Sequence, residues 1–294
     1  MAALSLSRRP LLQATLLALA AEALLTFMDA TIKGLSSRYP TLEIAFLRFA
    51  FGALWATALL IIFRPGWPSR ETVRANISRS FLVVITASCF FFALGRLPLA
   101  ETVALSFLSP VLMALFGGLF LGEKLDRSIG IGLAAGLAGM MLIVGARIGQ
   151  SDYQAGALWG VAALFVSTVT YALNIIVLRT RAQRDPALTI VWFQSTAPGL
   201  MLLAPALYVW TQPSAWDLML FALVGALGVA GHYLLALAFA RAEAARLAPV
   251  HYTTLIWGIL FGYLMFAEVP TTAMLAGATL IAAGAWIAQR KPRQ

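Results

Sequence analysis

Charge is scarce in this chain. Asp, Glu, Lys and Arg make up 11% of its 294 residues, where soluble domains carry roughly 25%. With 61% hydrophobic residues, it has too little polar surface to cover itself in water. Cysteine is nearly missing, and the single Cys89 excludes an intramolecular disulfide and any cysteine-based metal cluster. Long polar stretches are missing, so no soluble domain and no low-complexity tract fits. There are no ten-residue segments of alternating polarity, which a transmembrane barrel needs. There is no phosphate-binding loop, so the chain does not itself hydrolyse ATP. There is no nucleophile–base pair at workable spacing, which leaves a membrane enzyme without its chemistry.

What is present is ten apolar runs of about twenty residues, hydrophobic all round. In hydrocarbon every backbone polar group is satisfied internally, so runs of this length are helices. The expected spans are 11–32, 42–63, 79–95, 100–121, 128–146, 155–178, 187–209, 217–240, 247–267 and 271–289. Arg8 and Arg9 before the first run, and Ala21-Glu22-Ala23 within it, imitate a signal peptide. The apolar run resumes with LLTFM, so the segment is read as a retained span.

The second half echoes the first at an offset of 145 residues. Glu123 in LFLGEKL matches Glu268 in LMFAEVP, Arg96 matches Arg241, and Leu42–Phe49 runs nearly in step with Ala187–Phe193. A five-helix repeat has an odd number of crossings, so its twin enters the membrane in the opposite sense. The expected fold is an all-α integral membrane protein with ten transmembrane helices in two inverted five-helix repeats. Its parts are a cytoplasmic N-terminus (1–10), a first repeat (11–146), an external linker (147–154), a second repeat (155–289) and a cytoplasmic C-terminus (290–294). Inverted repeats are a common build for secondary transporters, whose substrate site lies at the repeat interface near the midplane.

Lys and Arg give the orientation. With the N-terminus inside, sixteen fall on the cytoplasmic side, Arg79 among them. Four fall outside (Lys33, Arg38, Arg96 and Arg147), and only Arg48 lies within a span. This bias puts both termini in the cytoplasm. It also accounts for the net charge of +9 without nucleic acid as a partner.

Ionisable groups in hydrocarbon are costly and normally face the bundle interior or a water-filled path. Glu22, Thr26, Asp29 and Lys33 share one face of the first span. The positions 145 residues on are Ser167, Tyr171, Asn174 and Leu178. Matched polar faces are expected if both line one cavity. The alternative for Thr26 and Ser167 is a hydrogen bond between helices, and Asp29 has Lys33 or Arg48 as possible partners. Glu22 and Asp29 are the candidates for proton coupling, because a carboxyl group that titrates in one orientation only links transport to a proton gradient. In the fourth span, Ser106 and Ser109 correspond to His251 and Thr254. Pro110 clashes with the carbonyl of Ser106 and frees it. In the third span, Ser88 corresponds to Tyr233, beside His232. The two histidines sit on different helices without a supporting motif. Hydrogen bonding or substrate contact therefore competes with metal binding, and no metal site or cofactor is expected. Tyr171, Tyr233 and Tyr252 are the favoured aromatic candidates, since a ring with a hydroxyl both stacks and hydrogen-bonds. The candidate substrate-binding set is Thr26, Ser88, Ser106, Tyr171, Asn174, His232, Tyr233, His251 and Tyr252. Close helix packing is expected at Gly118 and Gly122, Gly132 and Gly136, Gly225 to Gly231, Gly258 and Gly262, and Gly277 and Gly284.

The run from Leu108 to Leu125, with its mid-helix Pro110 and Gly122-Glu123-Lys124 end, is followed by Gly130, Gly132, Gly136 and Gly139. Together with the ten spans, it resembles the drug/metabolite transporter superfamily and its EamA-type exporters, over about residues 11–289. The bacterial aromatic amino-acid exporters are the branch it most resembles. The second copy departs from the pattern, with Leu255 at the position of Pro110 and Ala267-Glu268-Val269 for Gly122-Glu123-Lys124. The resemblance implies a cavity lined by helices 1, 3, 4, 6, 8 and 9. It implies an inner-membrane exporter of small metabolites, amino acids foremost and aromatic ones favoured, working by alternating access as a monomer or weak dimer among membrane lipids. An exporter of organic cations or drugs competes, with Glu22 and Asp29 as counter-charges. A lipid flippase is more distant, because the basic residues stay at the helix ends.

Overall fold

The structure is a computed structural model that describes residues 8–121, 127–146, 156–182, 184–241, 250 and 253–289. Its helices are α1 (Arg8–Leu35), α2 (Thr41–Phe63), α3 (Arg70–Leu94), α4 (Leu99–Ser106), α5 (Ser109–Leu121), α6 (Arg127–Gly145), α7 (Ala157–Ala182), α8 (Ala187–Tyr208), α9 (Ala215–Arg241), α10 (Thr253–Phe266) and α11 (Thr272–Gln289). Six stretches of 22–25 residues, in α1, α2, α3, α7, α8 and α9, are long and apolar enough to cross a bilayer, and four shorter apolar helices accompany them. Leu54, Ile62, Phe120, Met141, Leu200 and Leu264 lie exposed, as expected of groups facing lipid acyl chains. The fold is an all-α membrane bundle of ten spans in two five-span repeats, α4 and α5 together making the fourth.

Local chemistry sets the helix ends. Pro40, Pro98 and Pro186 stand immediately before α2, α4 and α8, where a fixed φ and a missing N–H cost nothing. Ser69 caps α3 by accepting a hydrogen bond from the Thr72 N–H, and Glu71 follows in the first turn, where the helix dipole favours an anion. Arg64 ends α2 in the left-handed region at φ 44°, with its N–H on the Leu60 carbonyl.

Two expectations change here. The third span does not begin at Arg79. The helix starts nine residues earlier, and Thr72, Asn76, Arg79, Ser80 and Val83 form its buried face. The fourth span is not one helix but two, broken at Phe107 and Leu108. The Ser106 carbonyl, expected to be free, accepts the Ser109 hydroxyl at 2.7 Å.

The repeats hold each other more than they hold themselves. The four most extensive helix contacts are α6 with α11, α1 with α9, α2 with α8, and α3 with α7. Each joins helices from different halves. Glycine permits the closest ones. A Cβ on Gly139 would lie 2.6 Å from the Gly277 carbonyl oxygen, and one on Gly284 would lie 2.8 Å from that of Gly132. Gly225 packs against Gly52 and Phe51, and Gly231 against Leu25, as the Gly225–Gly231 edge led us to expect. Gly122 lies outside the described residues.

Equivalent positions make equivalent bonds. Arg96 and Arg241 each donate to the carbonyl four residues back, of Phe92 and Leu237. Two clasps also correspond. At the start of α3, Thr72 bonds Asp185 at 2.8 Å, and Arg181 bonds both Asp185 and Glu71. At the start of α9, Asp217 receives bonds from Arg38, from Tyr39 at 2.7 Å and from Ser214 at 2.9 Å. Ser69 and Thr72 are 145 residues before Ser214 and Asp217. The first clasp sits on the arginine-rich face, and the second sits on the opposite one.

Candidate functional site

Polar groups from seven helices meet inside the bundle. Glu22 and Thr26 of α1 are buried, as are Arg48 of α2, Arg79 of α3, and Ser167 and Asn174 of α7. Glu22 of α1 lies within electrostatic reach of Tyr171 of α7. Glu22 Oε2 also accepts the Thr254 hydroxyl at 3.2 Å, which ties α1 to α10.

Asp29 and Lys33 find separate partners. Asp29 lies in the electrostatic field of Arg48 and of Glu22. Arg48 stacks its guanidinium 4.2 Å above the Phe49 ring, and its Nε is buried without a partner. Gly228 makes room for it, as a Cβ there would stand 3.0 Å from the Arg48 guanidinium. Lys33 instead closes the face opposite the arginines. It pairs with Glu268 at 3.2 Å and donates to the carbonyls of Leu94 and Leu97. Glu268 in turn accepts the Leu99 N–H at 2.7 Å. One cluster therefore joins α1, the α3–α4 turn and the α10–α11 turn.

Several candidates spend their polar atoms on helix architecture. Thr26 donates to the Glu22 carbonyl at 2.7 Å, and Ser106 donates to the Val103 carbonyl at 2.7 Å. Ser167 bonds the Thr86 carbonyl at 2.8 Å, next to a Thr86–Thr170 hydroxyl pair, and so stitches α7 to α3. Tyr233 packs on Ala56, Val191 and Val229, between α2, α8 and α9. His232 Nδ1 is 2.7 Å from the Gly228 carbonyl. A carbonyl only accepts, so this nitrogen carries the proton. Ser88 Oγ is buried with no partner. His251 and Tyr252 lie outside the described residues.

Arg79 is the residue that sequence reasoning placed wrongly. It is 2% exposed. Among the described residues its terminal nitrogens reach only the amide oxygens of Asn174 and Gln194, each at 3.5 Å, and its Nε has no acceptor. Its charge, like that of Arg48, is felt at His232. The signal that finds it is the spacing of Thr72, Asn76, Arg79 and Val83 on one helical face, downstream of a Ser69 cap.

An aromatic wall adjoins the polar layer. Trp257 stacks on Phe261 with centroids 6.2 Å apart, and Phe261 meets Phe27 of α1 at 5.3 Å. In the polar layer, Glu22, Arg48, Arg79 and Asn174 are buried. A recess of about 270 Å³ lies instead at the arginine-rich face, lined by Trp67, Glu71, Arg181 and Asp185 among others.

The EamA-like transporter family model matches residues 12–145 and again 158–289. The pseudopaline exporter CntI of Pseudomonas aeruginosa is 28% identical over 270 residues, which cover 90% of this chain and 92% of the exporter. The S-adenosylmethionine uptake transporter of Rickettsia felis is 24% identical over 255 residues, covering 86% and 84%. A crystal structure with 23% sequence identity superposes with a TM-score of 0.64 over 94% of this chain and 96% of that one, a likeness of fold. This protein is a multi-pass membrane transporter and not an enzyme. With both of its repeats matched, the chain belongs to the EamA-like transporter family.

Proposed function

We propose that this chain is a secondary transporter that exports small metabolites, amino acids foremost, across the inner membrane by alternating access. The observation that carries this reading is the pairing of charges in the buried layer. Carboxyl groups at Glu22 and Asp29 share one electrostatic neighbourhood with Arg48, and Arg79 shares with Arg48 the surroundings of His232, so both ends of a zwitterion have a counterpart. The stack of Phe27, Phe261 and Trp257 beside them favours an aromatic side chain. The relatives' names include one export and one uptake, so direction rests on this chain's own features. The Lys33–Glu268 pair closes the face opposite the arginines. With both termini cytoplasmic, as the charge bias expects, that closed face is the external one.

The test is transport into proteoliposomes of the purified chain, with labelled phenylalanine, tyrosine, leucine and a panel of organic cations. Saturable amino-acid transport driven by its own gradient is expected. A second reading, export of organic cations, is favoured by the two carboxylates on one face of α1. Transport of the cations alone would establish it in place of the first. Reporter fusions at Gln294 and within 179–186 are expected to read cytoplasmic, and one within 147–154 to read external. An external C-terminus would overturn the assigned direction.

A further inference from the structure

We propose that Arg79, with Asn174 and Gln194, is the docking point for a carboxylate of the transported solute. The assignment rests on the reading of the chain as a carrier of amino-acid-like solutes, and it adds which end of the solute goes where.

A buried guanidinium needs its fork of five N–H donors satisfied. Arg79 is buried, yet among the described residues its only acceptors are two amide oxygens at 3.5 Å, the outer limit of a hydrogen bond. Its Nε–H has none. The nearest acid to act on it is Asp185. Both oxygens of that carboxylate are already held by Arg181, and one also by Thr72. The other arginine of the layer has Asp29 as a counter-charge, so Arg79 is the unmatched cation.

The surroundings suit an oxyanion. With their oxygens turned to the guanidinium, Asn174 and Gln194 keep their NH₂ groups as further donors. A planar carboxylate on a planar fork is the geometry in which arginine binds best. Three different helices supply the three side chains, so the site is built across both repeats.

Position gives the solute an orientation. Arg79 lies nine residues into α3, Gln194 seven into α8, and Asn174 eight before the end of α7. At 1.5 Å per residue, all three sit about 10–14 Å below the arginine-rich face. Glu22, on α1, bonds Thr254 of α10 instead. The solute's carboxylate goes to α3, α7 and α8, and its ammonium goes to the acids of α1.

The competing role is structural, a guanidinium that only ties three helices together. Binding to the full chain in lipid nanodiscs separates the two roles, with phenylalanine, phenylalaninamide and 3-phenylpropionate as probes. The wild type is expected to bind phenylalanine roughly tenfold or more tightly than the amide, the ratio expected for charge-assisted hydrogen bonds. Arg79→Gln is expected to erase that ratio while leaving phenylalaninamide unchanged, and Arg79→Lys to retain part of it. Should Arg79→Gln fail to assemble, the wild-type ratio and its reduction in Arg79→Lys decide. Equal weakening of acid and amide would overturn the proposal, as would a wild type indifferent to the carboxylate or one that binds no carboxylate probe. If 3-phenylpropionate binds through Arg79 while amino acids do not, the amino-acid reading falls and the anion site stands. If the amide and organic cations bind and are transported while the acid has no advantage, the carrier stands and the anion site falls.

Discussion

At the scale of single residues, the molecule divides its polar groups into those that hold helices and those held in reserve. Glu22 accepts from Thr254, a bond that glutamine also accepts. Glu22→Gln is therefore expected to fold and to bind solute, but to lose the response of transport to an imposed pH gradient in proteoliposomes. An unchanged response would make Glu22 a structural acceptor. Tyr39 is simpler. Its bond to the Asp217 carboxylate pushes the phenol above its ordinary 10. A group whose pKa is raised by folding contributes stability that is complete below its unfolded value and is lost as pH climbs through the folded one. The difference in thermal midpoint between wild type and Tyr39→Phe is thus expected to be constant from pH 7 to about 9 and to shrink above pH 10. Arg79 shows where sequence reading stops. An arginine at the edge of an apolar run looks like the end of a span, because hydropathy averages charge over a window. Only the periodic burial of Thr72, Asn76 and Val83 around it reveals a longer helix. Arg48, with apolar neighbours on both sides, was legible as an intramembrane charge from the start.

At the scale of helices, spacing was the reliable guide. The shared face of Glu22, Thr26 and Asp29 on α1, and that of Ser167, Tyr171 and Asn174 on α7, was legible in the sequence, because a helix's angular period fixes which residues share a side whatever surrounds it. What each group bonds to was not legible. Thr26 turns back on its own helix and Ser167 stitches to α3, choices that depend on which neighbour arrives first. The break between α4 and α5 was half legible, since Pro110 announced a disruption but not that Ser109 would satisfy the carbonyl. Cysteine at Tyr171 or Asn174 in a Cys89→Ala background is expected to react with small water-soluble thiol reagents as the carrier cycles, with solute protecting it. Cysteine at Ala278, in the α6–α11 seam, is expected to stay inert. Equal labelling would mean that the stripes do not line the path. The seam itself tolerates little. Gly139→Ala drives a methyl into the Gly277 carbonyl, with an expected loss of about 1–3 kcal/mol. Gly130→Ala meets open space and is expected to be neutral or slightly stabilising. Thermal midpoints in matched detergent compare the two.

At the scale of the whole molecule, the ordering of contacts says how the parts travel. Two of the four most extensive pairings, α1 with α9 and α3 with α7, bind helices of opposite repeats, and each carries a clasp at one end. Under the proposed alternating access, motion is expected between these mixed bundles, with the Lys33–Glu268 cluster as the fastening between α1 and the α10–α11 turn. Lys33→Leu is expected to raise the reactivity of a cysteine at Thr26 toward reagents added on the outer side, by about threefold or more for a pair of this partial exposure. No change would show that other contacts close that face. The same fastening has a consequence for the empty protein. Two identical repeats, inverted about one axis, make a device with no preferred side, because its two orientations are mirror images in energy and an unloaded carrier divides evenly between them. The residue 145 positions after Lys33 is Leu178, so the lysine of this fastening has no counterpart in the second repeat. Under the proposed alternating access, that lysine is expected to break the degeneracy: it would set which door the carrier waits behind, and with it how many proteins stand ready to meet a solute before any gradient acts.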